Sequence, residues 1–312
     1  LGIVIGALAF IFLEPILFAL GASKETFPFA KEYMQIILLG NVFTHLYLGM
    51  NNIMRASGYP SKAMVTTLIT VVVNLILDPL FIFVFKWGIQ GAAIATVLSQ
   101  IAGMITTVIH FAKSKSFVHF LPGYMKLKKV IINGIISIGM SNFLMLITGS
   151  VVISLINLNL GRYGGDLAVG AFGIIYSIAN LAGMVVVGLN QGMQPIVGYN
   201  FGARNTDRVI KAFKLTVFAA TAVTSVMFLF AEMLPGLIAR AFTRSPELIS
   251  LTISGMRLFL LVFPIVGFQM VTSSFFQSIG KARISIFLSL TRQVLFLIPA
   301  LLILPRLIGL PG

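Results

Sequence analysis

The chain has 312 residues, 58% hydrophobic and only 10% charged, with 22 Lys and Arg against eight Asp and Glu for a net charge of +14. Soluble domains carry roughly 25% charged residues, so this composition excludes a water-covered globule. Cys is absent, which excludes disulfides and thiolate metal sites.

A bilayer core about 30 Å thick asks for about 20 apolar residues per helical span, and windows of that kind fill nearly the whole sequence. Lipid leaves no water to satisfy free backbone groups, so the spans are helices or a closed barrel. Long apolar runs without period-two alternation exclude the barrel. In chain order the predicted spans are 1–21, 29–55, 61–85, 89–112, 129–160, 166–200, 208–240, 248–278 and 283–308. The breaks fall at Gly58-Tyr59-Pro60, Lys86-Trp87-Gly88, the basic stretch 113–129, Gly164-Gly165, Gly202-Ala203-Arg204 and Gly280-Lys281. Leu1 opens inside an apolar run with no Met or polar leader, which reads as a fragment.

Alternate loops differ in charge. One side holds Arg55, Lys62, Lys113, Lys115, Lys126, Lys128, Lys129, Arg204, Arg208, Lys211, Lys214, Lys281 and Arg283, offset only by Asp207. The other holds Lys24, Lys31, Lys86, Arg162, Arg240, Arg244, Arg257 and Arg306, offset by Glu25, Glu32, Asp166 and Glu247. The excess predicts that loops 56–60, 113–128, 201–207 and 279–282 face the cytoplasm of a multi-pass inner (plasma) membrane protein. The basic patches then orient the chain and are no footprint for nucleic acid.

Span 29–55, the Gly58 turn and span 61–85 match span 248–278, the Gly280 turn and span 283–308 at an offset of 222 residues. Upstream, Phe12-Leu13-Glu14 before Pro15 echoes Phe230-Ala231-Glu232 before Pro235. Both copies run the same way, which makes a parallel repeat about an axis along the membrane normal. Completing the symmetry adds two spans in front and one behind. The predicted fold is therefore an all-α polytopic membrane protein of two pseudo-symmetric six-helix lobes, incomplete at both ends. Residues 1–112 form the first lobe, 113–128 a cytoplasmic linker and 129–312 the second lobe.

Several strings resemble the MATE (multidrug and toxic compound extrusion) family. They are Arg55-Ala-Ser-Gly-Tyr-Pro-Ser-Lys-Ala-Met64, Asn74-Leu-Ile-Leu-Asp-Pro-Leu-Phe-Ile-Phe83 and Gly88-Ile-Gln-Gly-Ala-Ala-Ile-Ala-Thr96. Gln191-Gly-Met-Gln-Pro-Ile-Val-Gly-Tyr-Asn-Phe-Gly-Ala203 and Leu290-Thr-Arg-Gln-Val-Leu-Phe-Leu-Ile-Pro299 complete the set. The resemblance covers the whole chain and implies spans three to eleven of a twelve-span, DinF-like or NorM-like exporter. It implies multidrug efflux by H⁺ or Na⁺ antiport, with no other cofactor, drug-like substrates and a monomeric state.

Glu14, Asp78 and Glu232 are the acids within or beside spans, and intramembrane acids are functional candidates. Asp78 lies seven residues from its span's outer end, about 10 Å deep at 1.5 Å per residue. Asn74 is one turn away on the same face, and Thr96 is about as deep on the next helix. Together they offer oxygens to a proton or Na⁺. In the DinF-like part of the family, residues matching these three line the ion site of the first lobe. At the repeat offset Asn74 becomes Phe296 and Asp78 becomes Ala300, so the ion site is expected in the first lobe alone. The NorM-like pattern adds acids in spans seven and ten, which spans 129–160 and 248–278 lack. Glu14 and Glu232, beside prolines, read as water-facing interfacial carboxylates.

Polar and Met residues within spans are the candidates for a deformable drug cavity: Asn51, Asn52, Met54, Asn142, Tyr176, Asn180, Gln269 and Met270. Asn51 also matches a family cavity position, while interhelical hydrogen bonding is the competing reading for each. Gln191, Gln194 and Pro195 point to bending in span eight. Arg292, about ten residues into its span, is a gating or structural candidate. A lipid-linked precursor flippase of related fold would favour a cationic cavity, yet Arg292 is the one deep Lys or Arg. A membrane-embedded enzyme would need clustered groups, whereas His45, His110 and His119 are scattered, and a channel would not need the lobe repeat.

Overall fold

The computed structural model describes residues 2–19, 26–112, 118, 120 and 128–308, with the side chains at 19, 138, 141, 142, 282, 292, 306 and 308 outside the description. Among the described residues there is no strand, and every predicted span is helical. The chain divides into two units, Leu1–Met125 and Lys126–Gly312. Most of the expected linker 113–128 lies outside the described residues.

Unit 1 comprises α1 (Gly2–Ile11), α2 (Leu13–Ala19), α3 (Phe27–Ala56), α4 (Pro60–Pro79), a π-helical turn (Leu80–Val84) and α5 (Gly88–Ala112). Small residues let three of these approach closely. A Cβ on Gly103 of α5 would sit 2.6 Å from Thr70 Oγ1 of α4 and 2.7 Å from Tyr47 Cδ2 of α3. Gly40 of α3 abuts Val97, and Gly91 of α5 abuts Phe81. Lipid tails are as apolar as Leu, so such van der Waals seams, rather than expulsion of water, hold helices together. The pairings Gly40–Val97 and Tyr47–Gly103 make α3 parallel to α5. Phe81–Gly91 and Thr70–Gly103 make α4 antiparallel to it.

Unit 2 comprises α6 (Lys129–Gly202), α7 (Thr206–Met233), α8 (Pro235–Phe242), α9 (Pro246–Leu260), α10 (Phe263–Ser278), α11 (Ala282–Leu290), a second π-helical turn (Thr291–Leu297) and α12 (Ile298–Ile308). The helical stretch α6 contains two predicted spans, separated where Gly165 takes φ 65° and ψ −167°, a conformation open to glycine. Met256, Leu260, Val186, Val197 and Val271 are fully buried in its core.

Among the described residues, five segments are long and apolar enough to cross a bilayer: Pro60–Val84, Gly88–Ala112, Phe143–Gly202, Thr206–Met233 and Arg283–Pro305. A sixth arises if α9 and α10, bent by 49°, count as one span. The chain is thus a polytopic helical membrane protein. In Thr206–Met233 only 11% of the apolar window is buried, and Phe218 is 75% exposed. Apolar surface of that extent requires hydrocarbon as its solvent.

Three predicted spans are cut short or broken. Span 208–240 stops at Met233, because Pro235 opens a separate short helix. Span 248–278 bends between Leu260 and Phe263, where Pro264 occupies the first turn of α10. Span 1–21 breaks at Phe12, ahead of Pro15. Span 29–55 is a helix of 30 residues, but Asn41, His45, Asn51 and Asn52 leave it less apolar than its neighbours.

The 222-residue repeat is visible in hydrogen bonds. Ser57 N donates to Ile53 O, Gly58 N to Arg55 O and Tyr59 N to Met54 O; Ile279, Gly280 and Lys281 bond to Phe275, Gln277 and Phe276 in the same pattern. Gly58 and Gly280 hold φ 89° and 75°, the left-handed position of a helix C-terminus where glycine carries no Cβ penalty. Ala203, Arg204 and Asn205 repeat the pattern, with Arg204 left-handed at φ 57°.

Replacing Gly103 by Val should strain the α3–α4–α5 seam by about 1–3 kcal/mol. Thermal unfolding in detergent should show a lowered midpoint for this variant. Gly134→Val is the control, since nothing lies within 4 Å of its added Cβ.

Candidate cation site and polar interior of unit 1

Pro60 opens α4, where the missing proline N–H is free of cost. Thr66, Thr70, Asn74 and Asp78 recur at every fourth position and so share a face. Thr66 and Thr70 are buried, and Thr70 meets Gly103 of α5. On α5, Thr96, Gln100, Gly103 and Thr107 share a face, of which Gly103 meets Thr70. Interpolating between Phe81–Gly91 and Thr70–Gly103, Asn74 lies level with Leu98 and Ser99, between Thr96 and Gln100. Asp78 lies level with Ile94 and Ala95, just beyond Thr96.

Asn74 Nδ2, Asp78 Oδ1 and Gln100 Oε1 are buried atoms without a hydrogen-bond partner. Thr96 Oγ1 donates to Ala92 O of its own helix at 3.0 Å, which leaves its lone pairs available. Each unsatisfied buried polar atom costs about 1–3 kcal/mol. Three of them lie on two touching helices within about 9 Å along the helix axis, at 1.5 Å per residue. Gln100 escaped the sequence reading, although it lies one turn from Thr96 on the same face. Beyond Asp78, Pro79 removes a donor and the helix continues as the π turn Leu80–Val84, a geometry found often at functional sites.

The sequence matches the MatE family over residues 1–80 and 138–302. The chain belongs to that family. Membership places it among transporters rather than enzymes. It is 26% identical to the multidrug export protein MepA of Staphylococcus haemolyticus (strain JCSC1435), over all of this chain and 68% of that protein. The MepA of Staphylococcus aureus (strain NCTC 8325 / PS 47) is 28% identical, with the same coverage. Among solved structures, a MATE protein in the bent conformation superposes with a TM-score of 0.85 at 23% identity, covering 94% of this chain and 65% of that one. A MOP-superfamily transporter from Pyrococcus furiosus, described as having a binding pocket of reverse polarity, gives 0.89 at 24%, covering 99% and 70%. At those identities the structures speak for the fold. The chain spans about two thirds of the length of these relatives.

The other candidates of this MatE-family chain sit as follows. Asn51 is buried and spent: its Nδ2 donates to Ala63 O at 2.9 Å and Thr66 Oγ1 at 2.6 Å, and its Oδ1 accepts from Arg55 Nη2 at 3.0 Å. Met54 is fully buried with Ala63 and Phe111. Asn52, Tyr176 and Asn180 are exposed, whereas Gln269, Met270 and Pro195 are half-buried. Met270 packs beside Val271, Val186 and Met193. Pro195 lies inside α6, whose one non-helical residue is Gly165. The side chains of Asn142 and Arg292 lie outside those described.

Glu14 is exposed and Glu232 half-exposed, in keeping with their reading as water-facing carboxylates, and both are ion-paired. Lys31 Nζ lies 2.5 Å from Glu14 Oε1, and Arg257 Nε 3.5 Å from Glu232 Oε2. Each acid before an outer proline thus meets a base on a later helix. Exposed pairs of this sort contribute at most about 1 kcal/mol.

Unit 2 repeats the cross-link made by Asn51. Its counterpart Ser273 shares hydrogen bonds with Ser285 Oγ at 3.2 Å and Ser289 Oγ at 2.5 Å, and Ser285 is the counterpart of Ala63. Where α4 has Asn74 and Asp78, unit 2 has Phe296 and Ala300. The two halves share the helix-joining hydrogen bonds, and their unpaired buried polar atoms fall at different positions: Asn74, Asp78 and Gln100 in unit 1, Asn190, Thr252 and Gln293 in unit 2.

Asn51→Leu should therefore act on stability. A loss of roughly 1–2 kcal/mol is expected, read as a lower unfolding midpoint in detergent. A changed drug spectrum at unchanged stability would place Asn51 in the cavity instead.

Proposed function

We propose that this protein is a multidrug exporter in which a cation moving inward, H⁺ or Na⁺, drives lipophilic cationic compounds outward. Asn74, Asp78 and Thr96 form the coupling site. The observation that carries the reading is Asp78 Oδ1, buried and unpartnered beside the equally orphaned Asn74 Nδ2, at the level of Thr96. A lone carboxylate in that position is expensive in hydrocarbon. A proton on the carboxylate removes the charge, and a sodium ion among hard oxygen donors pairs it. The multidrug export proteins named among the relatives support the substrate class.

In this reading residues 1–112 and 129–312 are two lobes joined by 113–128, and spans are counted three to eleven. Loops 56–60, 113–128, 201–207 and 279–282 face the cytoplasm of the plasma membrane, and the transporter acts as a monomer. The candidates for drug contact are Asn52 in unit 1 and, separately, Tyr176, Asn180, Gln269 and Met270 in unit 2. Cation arrival at Asp78 from outside rearranges the first lobe and releases drug; cation loss to the cytoplasm restores the drug-binding form. Exporting one positive charge costs about 2.3 kcal/mol per 100 mV, and one returning cation cancels that term.

Asp78→Asn, expressed from the complete gene, should insert normally yet lose gradient-driven ethidium efflux. Everted vesicles under separately imposed pH and Na⁺ gradients give the measurement and identify the driving ion. Undiminished efflux by Asp78→Asn refutes the coupling role.

A further inference from the structure

We infer that Gln100 is a fourth member of the cation site, supplying an amide oxygen one turn along α5 from Thr96. The inference rests on the coupling-site reading above and adds a residue to it. Four facts converge on this side chain. Its Oε1 is buried with no partner. It follows Thr96 by four residues and so shares its face. Its level matches Asn74, whose Nδ2 is equally unpartnered. The helices that carry them touch on both sides of this level, at Gly91–Phe81 and Gly103–Thr70.

The chemistry of the orphaned atoms says what completes them. Asp78 Oδ1 and Gln100 Oε1 are both acceptors, and two acceptors cannot satisfy one another. A proton or a cation between them or beside them completes both. A proton on Asp78 turns the carboxyl into a donor that an amide oxygen can receive. Na⁺ instead takes carboxylate, hydroxyl and amide oxygens together, and a half-turn of the Asn74 amide presents its oxygen in place of Nδ2. Ordered along the α4–α5 seam, the groups run Asp78, Thr96, Asn74, Gln100, drawn alternately from the two helices. A cation held there ties α4 to α5, so its arrival and departure bear directly on how the two helices pack. Gln100 also marks where the polar string meets the threonines: Thr70 follows on α4, and its Oγ1 bonds to Thr66 O at 2.9 Å.

The test compares the complete protein with its Gln100→Leu, Gln100→Glu and Asp78→Asn variants in vesicles, reading ethidium efflux against graded Na⁺ and graded pH. Ethidium affinity is measured separately by fluorescence polarisation in detergent. Gln100→Leu should raise the concentration of the driving cation needed for half-maximal efflux roughly tenfold, the loss of one charge-assisted contact, with ethidium affinity unchanged. Gln100→Glu keeps the shape and adds a negative charge, so it should lower that concentration; it also supplies a readout if the Leu variant fails to fold. If neither variant moves the cation dependence while Asp78→Asn is inactive, Gln100 is no part of the site and the coupling reading stands. If Asp78→Asn remains active, the coupling reading itself falls.

Discussion

Hydrocarbon offers no hydrogen bonds, so a polar group placed inside it must find its partner within the protein or wait for one to arrive. In unit 1 such groups are partnered at one end of α4 and without a hydrogen-bond partner toward the other. Around Asn51, every bond is closed: to Ala63, to Thr66, from Arg55. Along the same face of α4, at Asn74 and Asp78, the bonds stop while burial continues. A single stripe of four-residue spacing thus passes from a structural cross-link to buried polar atoms without a hydrogen-bond partner.

The repeat gives this contrast its meaning. Both copies close the helix-joining turn with identical hydrogen bonds, and both brace the following helix pair through one buried polar residue, Asn51 in one and Ser273 in the other. These are requirements of packing, and they survive in each half. Asn74 and Asp78 have apolar counterparts, Phe296 and Ala300, because nothing in the packing of a helix pair calls for an unpaired acid. Duplicated structure with unduplicated chemistry separates what holds the fold from what the fold carries.

Much of this was legible in the residues. Apolar runs gave the helices, Gly58 and Gly280 marked left-handed turns, and Gly164-Gly165 signalled the break found at Gly165. The spacing of Asp78 from Asn74 on one face followed from helix geometry alone. The rest depended on contacts between helices. Gln100 reads as one more polar residue until Gly103 and Thr70 set the register that brings it level with Asn74. Asn51 stood between a cavity role and an interhelical hydrogen bond, and its bonds to Ala63 and Thr66 require knowing which face α4 turns toward it. The ion pairs of Glu14 and Glu232 hinge on bends beside Pro15 and Pro235, whose direction hydropathy does not encode.

The π turn after Pro79 has a practical corollary. It leads into an aromatic cluster in which Trp87 lies 5.1 Å from the ring of Phe81 and 5.4 Å from that of Phe85, while Phe81 itself presses on Gly91 of α5. Trp87 is the one tryptophan in these 312 residues, nine positions beyond Asp78. Indole emission from this sequence therefore has a single address, in the connection between the two helices that line the site, and needs no attached dye to watch it.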